Sequence, residues 1–172
     1  MSSELRISGT VSESIVDGRG IRYVVFTQGC PHHCPGCHNP QTHPFDGGRL
    51  TDVETLFEEI CENPLLKGVT FSGGEPFCQP GPLAELGHLV HGRGLDVTVY
   101  TGYRYEQLTA MNRPDVDALL GEADLLIDGP FLQDEKDLTL LYRGSRNQRL
   151  IDMNETRRKD CVVLAQDGQQ EE

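Results

Sequence analysis

The hydrophobic pattern of this chain switches repeatedly between a period of two and a period near 3.6, as expected of strands alternating with helices. Leu5 to Val11 alternates like a short strand, and Asp17-Gly18-Arg19-Gly20 supplies a turn. Ile21 to Thr27 is rich in β-branched and aromatic residues and reads as the first main strand. Thr51 and Glu54 form a capping-box pattern ahead of a helical face of Val53, Leu56, Phe57, Ile60 and Cys61, which Asn63-Pro64 ends. Gly68 to Ser72 is a second strand. Pro82 to Gly92 is a second helix with Leu83, Leu86, Leu89 and Val90 inward. Leu95 to Tyr100 is a third strand. Two short helices follow, Tyr105 to Met111 and Asp115 to Leu120, and Asp124 to Asp128 is a fourth strand closed by Gly129-Pro130. Gln133 to Asp137 is a loop and Leu138 to Tyr142 a short strand or helical turn. Gln148 to Ile151 and Cys161 to Leu164 are weaker strands, and the end of the chain is polar and loose.

Such alternation argues for parallel β/α units. With 172 residues the chain is most simply one domain, and it is too short for a closed eight-fold barrel of about 250 residues. An open partial barrel and a flat doubly wound sheet both remain.

The chemistry gathers in Gln28-Gly29-Cys30-Pro31-His32-His33-Cys34-Pro35-Gly36-Cys37-His38-Asn39-Pro40. Cysteines at these offsets would line one face of a helix, but an interior proline at position 35 removes a hydrogen bond and clashes with the preceding turn. The segment is therefore a loop leaving the C-terminal end of a strand, where α/β sheets and barrels place their chemistry. Three thiolates suit a soft metal centre. A four-iron cubane takes one ligand per iron, so three cysteines leave one iron open. Zinc completed by His33, His38 or His43, or a disulfide with one thiol left over, are the other readings.

The net charge of −12 argues against a nucleic-acid partner, whose phosphates demand basic patches. No apolar run reaches membrane-spanning length, and the first residues lack the features of a secretory signal. A reducing cytoplasm is expected, where clustered thiols favour metal over disulfide. Cys61 and Cys161 are expected to be buried, and Cys78 to be a bystander.

Cys30-xxx-Cys34-xx-Cys37, with Ser72-Gly73-Gly74-Glu75-Pro76 downstream, resembles the radical S-adenosylmethionine (SAM) enzymes. Ser14 to Arg22 leading into Phe26-Thr27-Gln28-Gly29-Cys30 is similar to the signature of those that activate glycyl-radical proteins. Cys34-Pro35-Gly36-Cys37, Asp128-Gly129, and Arg143-Gly144-Ser145 with Asn147-Gln148-Arg149 narrow the resemblance to the subfamily acting on anaerobic ribonucleoside-triphosphate reductase.

The resemblance implies an α/β fold, a single-domain open partial (β/α) barrel of radical SAM type over residues 1–164, with 165–172 a polar tail. It implies a [4Fe–4S] cluster on Cys30, Cys34 and Cys37, with SAM chelating the open iron. Reductive cleavage of SAM gives a 5′-deoxyadenosyl radical, which makes a glycyl radical on the reductase. Gly36, Cys37 and His38 would pass near the adenine. The wider family often carries an aromatic residue where Gly36 stands. Gly73 and Gly74 would receive the methionyl ammonium through backbone carbonyls, with Glu75 assisting. Thr101 and Asp128, at the ends of the third and fourth strands, are candidates to touch SAM or organise its pocket, the other reading being capping. Arg143, Arg146 and Arg149 form a basic island suited to an anion or a partner. A low-potential donor such as flavodoxin or ferredoxin is implied, with no membrane partner. The alternatives are an activase of another glycyl-radical enzyme such as pyruvate formate-lyase, or a non-catalytic iron–sulfur electron carrier.

Overall fold

A computed structural model describes residues 3–32, 34–37, 39–140 and 142–165. Its seven strands are β1 (Glu4–Ser14), β2 (Arg22–Thr27), β3 (Arg49–Asp52), β4 (Gly68–Gly73), β5 (Asp96–Tyr100), β6 (Leu125–Asp128) and β7 (Arg149–Asp152). They form one sheet in the order β3-β1-β2-β4-β5-β6-β7. The four central strands β2, β4, β5 and β6 are parallel and lie in chain order. A doubly wound sheet would reverse direction at a switch point. Here the winding proceeds one way, which gives an open partial (β/α) barrel and removes the flat alternative. The outer strands β1 and β7 pair antiparallel to the parallel set.

Every helix packs on the same face. The helices are α1 (Val53–Cys61), α2 (Pro80–His91), α3 (Tyr105–Ala110), α4 (Pro114–Glu122) and α5 (Met153–Lys159). One apolar core joins them to alternate strand residues: Tyr23 and Val25, Val69 and Phe71, Val97 and Val99, then Leu126 and Ile151. The opposite residues of the same strands form the inner face, where Leu125, Ile127 and Leu150 meet Tyr100 and Tyr142. The fully buried Arg22 organises the lower part of that face. Its guanidinium donates to Thr70 Oγ1 (2.7 Å), the Val69 carbonyl (2.7 Å) and the Arg19 carbonyl (2.8 Å), and pairs with Asp96 (2.5 Å). Thr70 Oγ1 in turn donates to the Asp17 carbonyl at 2.8 Å. The turn before β2 is thereby fastened across the sheet.

Several elements differ from the sequence reading. The cap of α1 is Asp52, whose side chain accepts from Thr55 N at 2.7 Å, not Thr51. Thr51 is held one residue earlier in the edge strand β3, opposite Leu5. Helix α5 was not expected, although Asp152 and Glu155 stand at capping-box spacing and Arg157, Arg158 and Lys159 fill its last turn. The stretch expected to be a strand at Cys161 to Leu164 contributes a single bridge, Leu164 to Ile151, and Cys161 is exposed instead of buried. Among the described residues of 138–142 there is neither strand nor helix. His33, His38, Leu141 and the tail residues 166–172 lie outside the described residues.

Candidate active site

Parallel pairing in register brings Thr27 beside Gly73 at the ends of β2 and β4. The cysteine loop and the glycine loop therefore start side by side. The cysteine loop is closed at its base: Gly29 N donates to the Thr42 carbonyl (2.6 Å) and Cys30 N to that of His43 (3.1 Å). The Gln28 amide holds the returning chain through the carbonyls of Gln41 (3.0 Å) and Pro44 (2.7 Å). Within the loop Cys37 N donates to the Cys34 carbonyl at 3.1 Å, and Asn39 N points to Cys37 Sγ at 3.5 Å. Backbone donors to sulfur are one lever on a cluster's potential.

Gly73 and Gly74 are glycines because of the chain's own packing. Gly73 has φ +94°, and a Cβ there would lie 2.6 Å from Thr27 N. A Cβ on Gly74 would lie 2.4 Å from the Gly29 carbonyl oxygen. The two loops thus touch backbone to backbone, and Glu75 N donates to the same Gly29 carbonyl at 2.8 Å.

The Glu75 side chain, fully buried, completes the connection. Oε1 accepts from His32 Nε2 (2.6 Å) and Gly102 N (2.8 Å). Oε2 accepts from Thr101 Oγ1 (2.8 Å) and Phe77 N (3.0 Å). One carboxyl group therefore ties together the cysteine loop, the glycine loop and the end of β5. Thr101 also accepts from Tyr103 N at 3.0 Å, and the Tyr103 ring meets His32 edge-on with centroids 4.5 Å apart.

Asp128 is equally committed. It accepts from Tyr105 N at the start of α3 (2.8 Å) and forms a two-pronged pair with Arg149 (3.0 and 2.5 Å). Arg149 reaches Glu106 as well, and these bonds hold its guanidinium above the usual arginine range. The basic island is thus partly internal wiring. Its neighbours fasten the chain after β6: Gln148 bridges Gly144 N and the Gly129 carbonyl, and Asn147 donates to the Pro130 carbonyl. Leu132 N donates to Ser145 Oγ. Phe131, within this stretch, lines the same cavity as the three cysteines.

Cys30, Cys34, Cys37, Gly73, Gly74 and Thr101 line one cavity of about 130 Å³, with His32, His43, Ser72, Tyr100, Phe131 and Gln148. Of these last contributors, sequence reasoning had named His43 only as a zinc candidate and Ser72 and Gln148 only within motifs, and it missed His32, Tyr100 and Phe131 as site residues. His32 carried a signal inside the cysteine loop itself, and Tyr100 stands next to Thr101. Glu75 and Asp128 are not among the lining residues, and neither is Gly36, whose φ is +75° and whose missing Cβ would meet the Gln133 amide. The cavity shares Cys37, Ser72, Tyr100, Phe131 and Gln148 with a second space of about 340 Å³, so the two are parts of one cleft.

None of the three cysteines is in a disulfide; Cys30 is buried and the other two half-buried. Among the described residues no three His, Cys, Asp or Glu side chains converge on a single ion. A cubane asks for something else, one thiolate on each of three irons around a cavity wall, and a lining of sulfur, backbone and aromatic groups suits it. Cys78 is set apart: desolvation and then the Glu75 charge push its thiol up to about 11.

Residues 16–151 match the model of the 4Fe-4S single cluster domain. The anaerobic ribonucleoside-triphosphate reductase-activating protein of Escherichia coli K12 is 34% identical over 143 residues, covering 78% of this chain and 90% of that one. This chain belongs to the family of those activating proteins. The Haemophilus influenzae member is 32% identical over 78% of this chain and 89% of its own, and that of Enterobacteria phage T4 is 33% identical over 78% and 86%. Among solved structures, QueE from Escherichia coli superposes with a TM-score of 0.46 at 19% identity, covering 58% of this chain and 53% of that one. The cofactors of a chain in the activating-protein family are a [4Fe–4S] cluster and SAM. No helix among the described residues is long and apolar enough to cross a membrane.

Proposed function

We propose that this chain is the radical SAM activase that generates a glycyl radical on the anaerobic ribonucleoside-triphosphate reductase. The observation that carries the reading is the joining of three cysteines and the Gly73–Gly74 loop on one cavity, within a family of reductase-activating proteins. When bound, the cluster and SAM supply the chemistry: one electron cleaves the adenosyl carbon–sulfur bond, giving methionine and the radical that takes a glycine hydrogen atom.

The chain's own residues do the rest. Cys30, Cys34 and Cys37 would hold the cluster and leave a coordination position for SAM. The loop at Gly73 and Gly74 offers backbone to the methionyl group, while Gly36, Cys37 and His38 belong with the adenine. Phe131 and Tyr100 wall the cleft and exclude water from it. Glu75, Thr101 and Asp128 act by positioning, since the oxygens of both carboxyl groups already serve donors of the protein itself. Residues 1–164 make up the catalytic domain, with 165–172 a polar tail. A low-potential carrier such as flavodoxin or ferredoxin supplies electrons in the cytoplasm.

Anaerobic reconstitution followed by SAM cleavage with and without the reductase tests this. A reductase deuterated at glycine Cα should pass deuterium into 5′-deoxyadenosine and show a glycyl radical signal. Label retained in the reductase, with SAM cleaved on addition of a small molecule or of pyruvate formate-lyase, would replace the reading. A cluster that never cleaves SAM would make the protein an electron carrier.

A further inference from the structure

The activase reading says that a protein segment enters the cleft, but not where the rest of that protein rests. We propose that the exposed apolar side chains flanking the cleft, Ile15 and Val16 on one side and Leu132 and Leu138 on the other, form the seat of the reductase; this inference rests on the activase reading.

Their exposures are 75%, 72%, 39% and 83%. Single exposed apolar residues are ordinary on a protein surface. These four are different in placement. Val16 lines the outer space of the cleft together with Phe131, Leu140 and Tyr142. Ile15 adjoins Val16, Leu132 follows Phe131, and Leu138 stands two positions before Leu140, so segments far apart in the chain bring apolar groups to one opening. The first segment is not a loose tether. Ser14 Oγ donates to Asp17 Oδ2 (2.5 Å), and the Asp17 carbonyl is held by Thr70. The second wall contains Tyr142 at φ +68°, a conformation that bulky residues rarely adopt and that tends to mark functional sites.

Size decides the kind of partner. An outer space of about 340 Å³ is at the small end of small-ligand pockets. A folded domain cannot reach Cys37 through it; only an extended segment with a small residue at its tip can. The body that carries the segment must then stop at the rim, where Ile15, Val16, Leu132 and Leu138 meet it. The partner surface that fits is an apolar collar around a protruding glycine-bearing segment.

The test uses the reconstituted full chain with Ile15→Asp, Leu138→Asp and the double variant, and Leu50→Asp on the edge strand β3 as control. None of these residues lines the cleft. Two quantities are read: SAM cleavage under strong reductant without reductase, and glycyl radical formation as reductase is titrated. The rim variants should need about tenfold more reductase for half-maximal radical formation, as for loss of an apolar anchor. Reductase-free cleavage and the Leu50→Asp titration should not change. An unchanged titration in the double variant overturns the seat. So does weaker self-association of the double variant than of the unaltered protein with activation intact, which would make the rim a contact between copies of this chain. If the unaltered protein cleaves SAM but forms no glycyl radical, the activase reading fails first and the seat falls with it.

Discussion

His32 Nε2 lies 2.6 Å from Glu75 Oε1, joining a residue between Cys30 and Cys34 to the residue that follows the glycine pair. Glu75→Ala would strand the His32, Phe77, Thr101 and Gly102 donors in a buried place. A loss of about 3 kcal/mol is expected, measurable by urea unfolding. His32→Phe keeps a ring against Tyr103 but forfeits one charge-assisted bond, at a cost of about 1.5 kcal/mol. It should still take up iron, and its SAM affinity in calorimetry should fall about tenfold as the two loops lose registration. His32→Gln, which retains a donor, should recover part of that affinity.

Single Cys→Ser changes at positions 30, 34 and 37 should each abolish the paramagnetic signal of the reduced cluster. Cys61→Ser, Cys78→Ser and Cys161→Ser should retain it, with iron and sulfide near four per chain. Full occupancy in Cys34→Ser would remove that residue from the ligand set.

Gly74→Ala should disturb the cysteine loop as well as the glycine loop. The added Cβ would sit 2.4 Å from the Gly29 carbonyl, and backbone on both sides leaves little room to yield. Iron content and SAM affinity should drop together, with a stability loss of about 1–3 kcal/mol. Iron at the unaltered level with SAM binding lost would mean that the glycine serves the ligand alone.

A pH effect is expected at the far end of the molecule. His91 lies 2.7 Å from both Glu122 and Asp124, and His88 is 3.4 Å from Glu122. Burial disfavours the His91 charge, but the hydrogen bonds to Asp124 and Glu122 outweigh it and its pKa is raised above 6.5. The folded state therefore binds the proton more tightly than the unfolded state. The stabilisation is complete below pH 6.5 and is lost as pH rises through the raised value. Urea unfolding at pH 6 and pH 9 should show this loss, and His91→Gln should flatten it.

Much of the architecture was legible because the four parallel strands are short apolar runs bounded by glycine or proline, with helices of clear period between them. Edge strand β3 escaped because Arg49-Leu50-Thr51-Asp52 has no apolar alternation; its pairing with β1 alone makes it a strand. The thiols and the glycine pair were visible as motifs. The grip of Glu75 on His32 was not, since the two are 43 positions apart and nothing local marks a carboxyl as spoken for. Arg149 misled in the same way, being read as a free cation of a surface island when Asp128 and Glu106 hold it.

The apolar core on the helix face contains none of the three thiols. The base of the cysteine loop is closed by Gly29 with Thr42 and Cys30 with His43, bonds that involve no sulfur. Loss of a metal centre to oxygen should therefore leave a frame that can be refilled. A chain stripped of iron is expected to keep its fold, whereas a zinc finger loses its fold along with its ion.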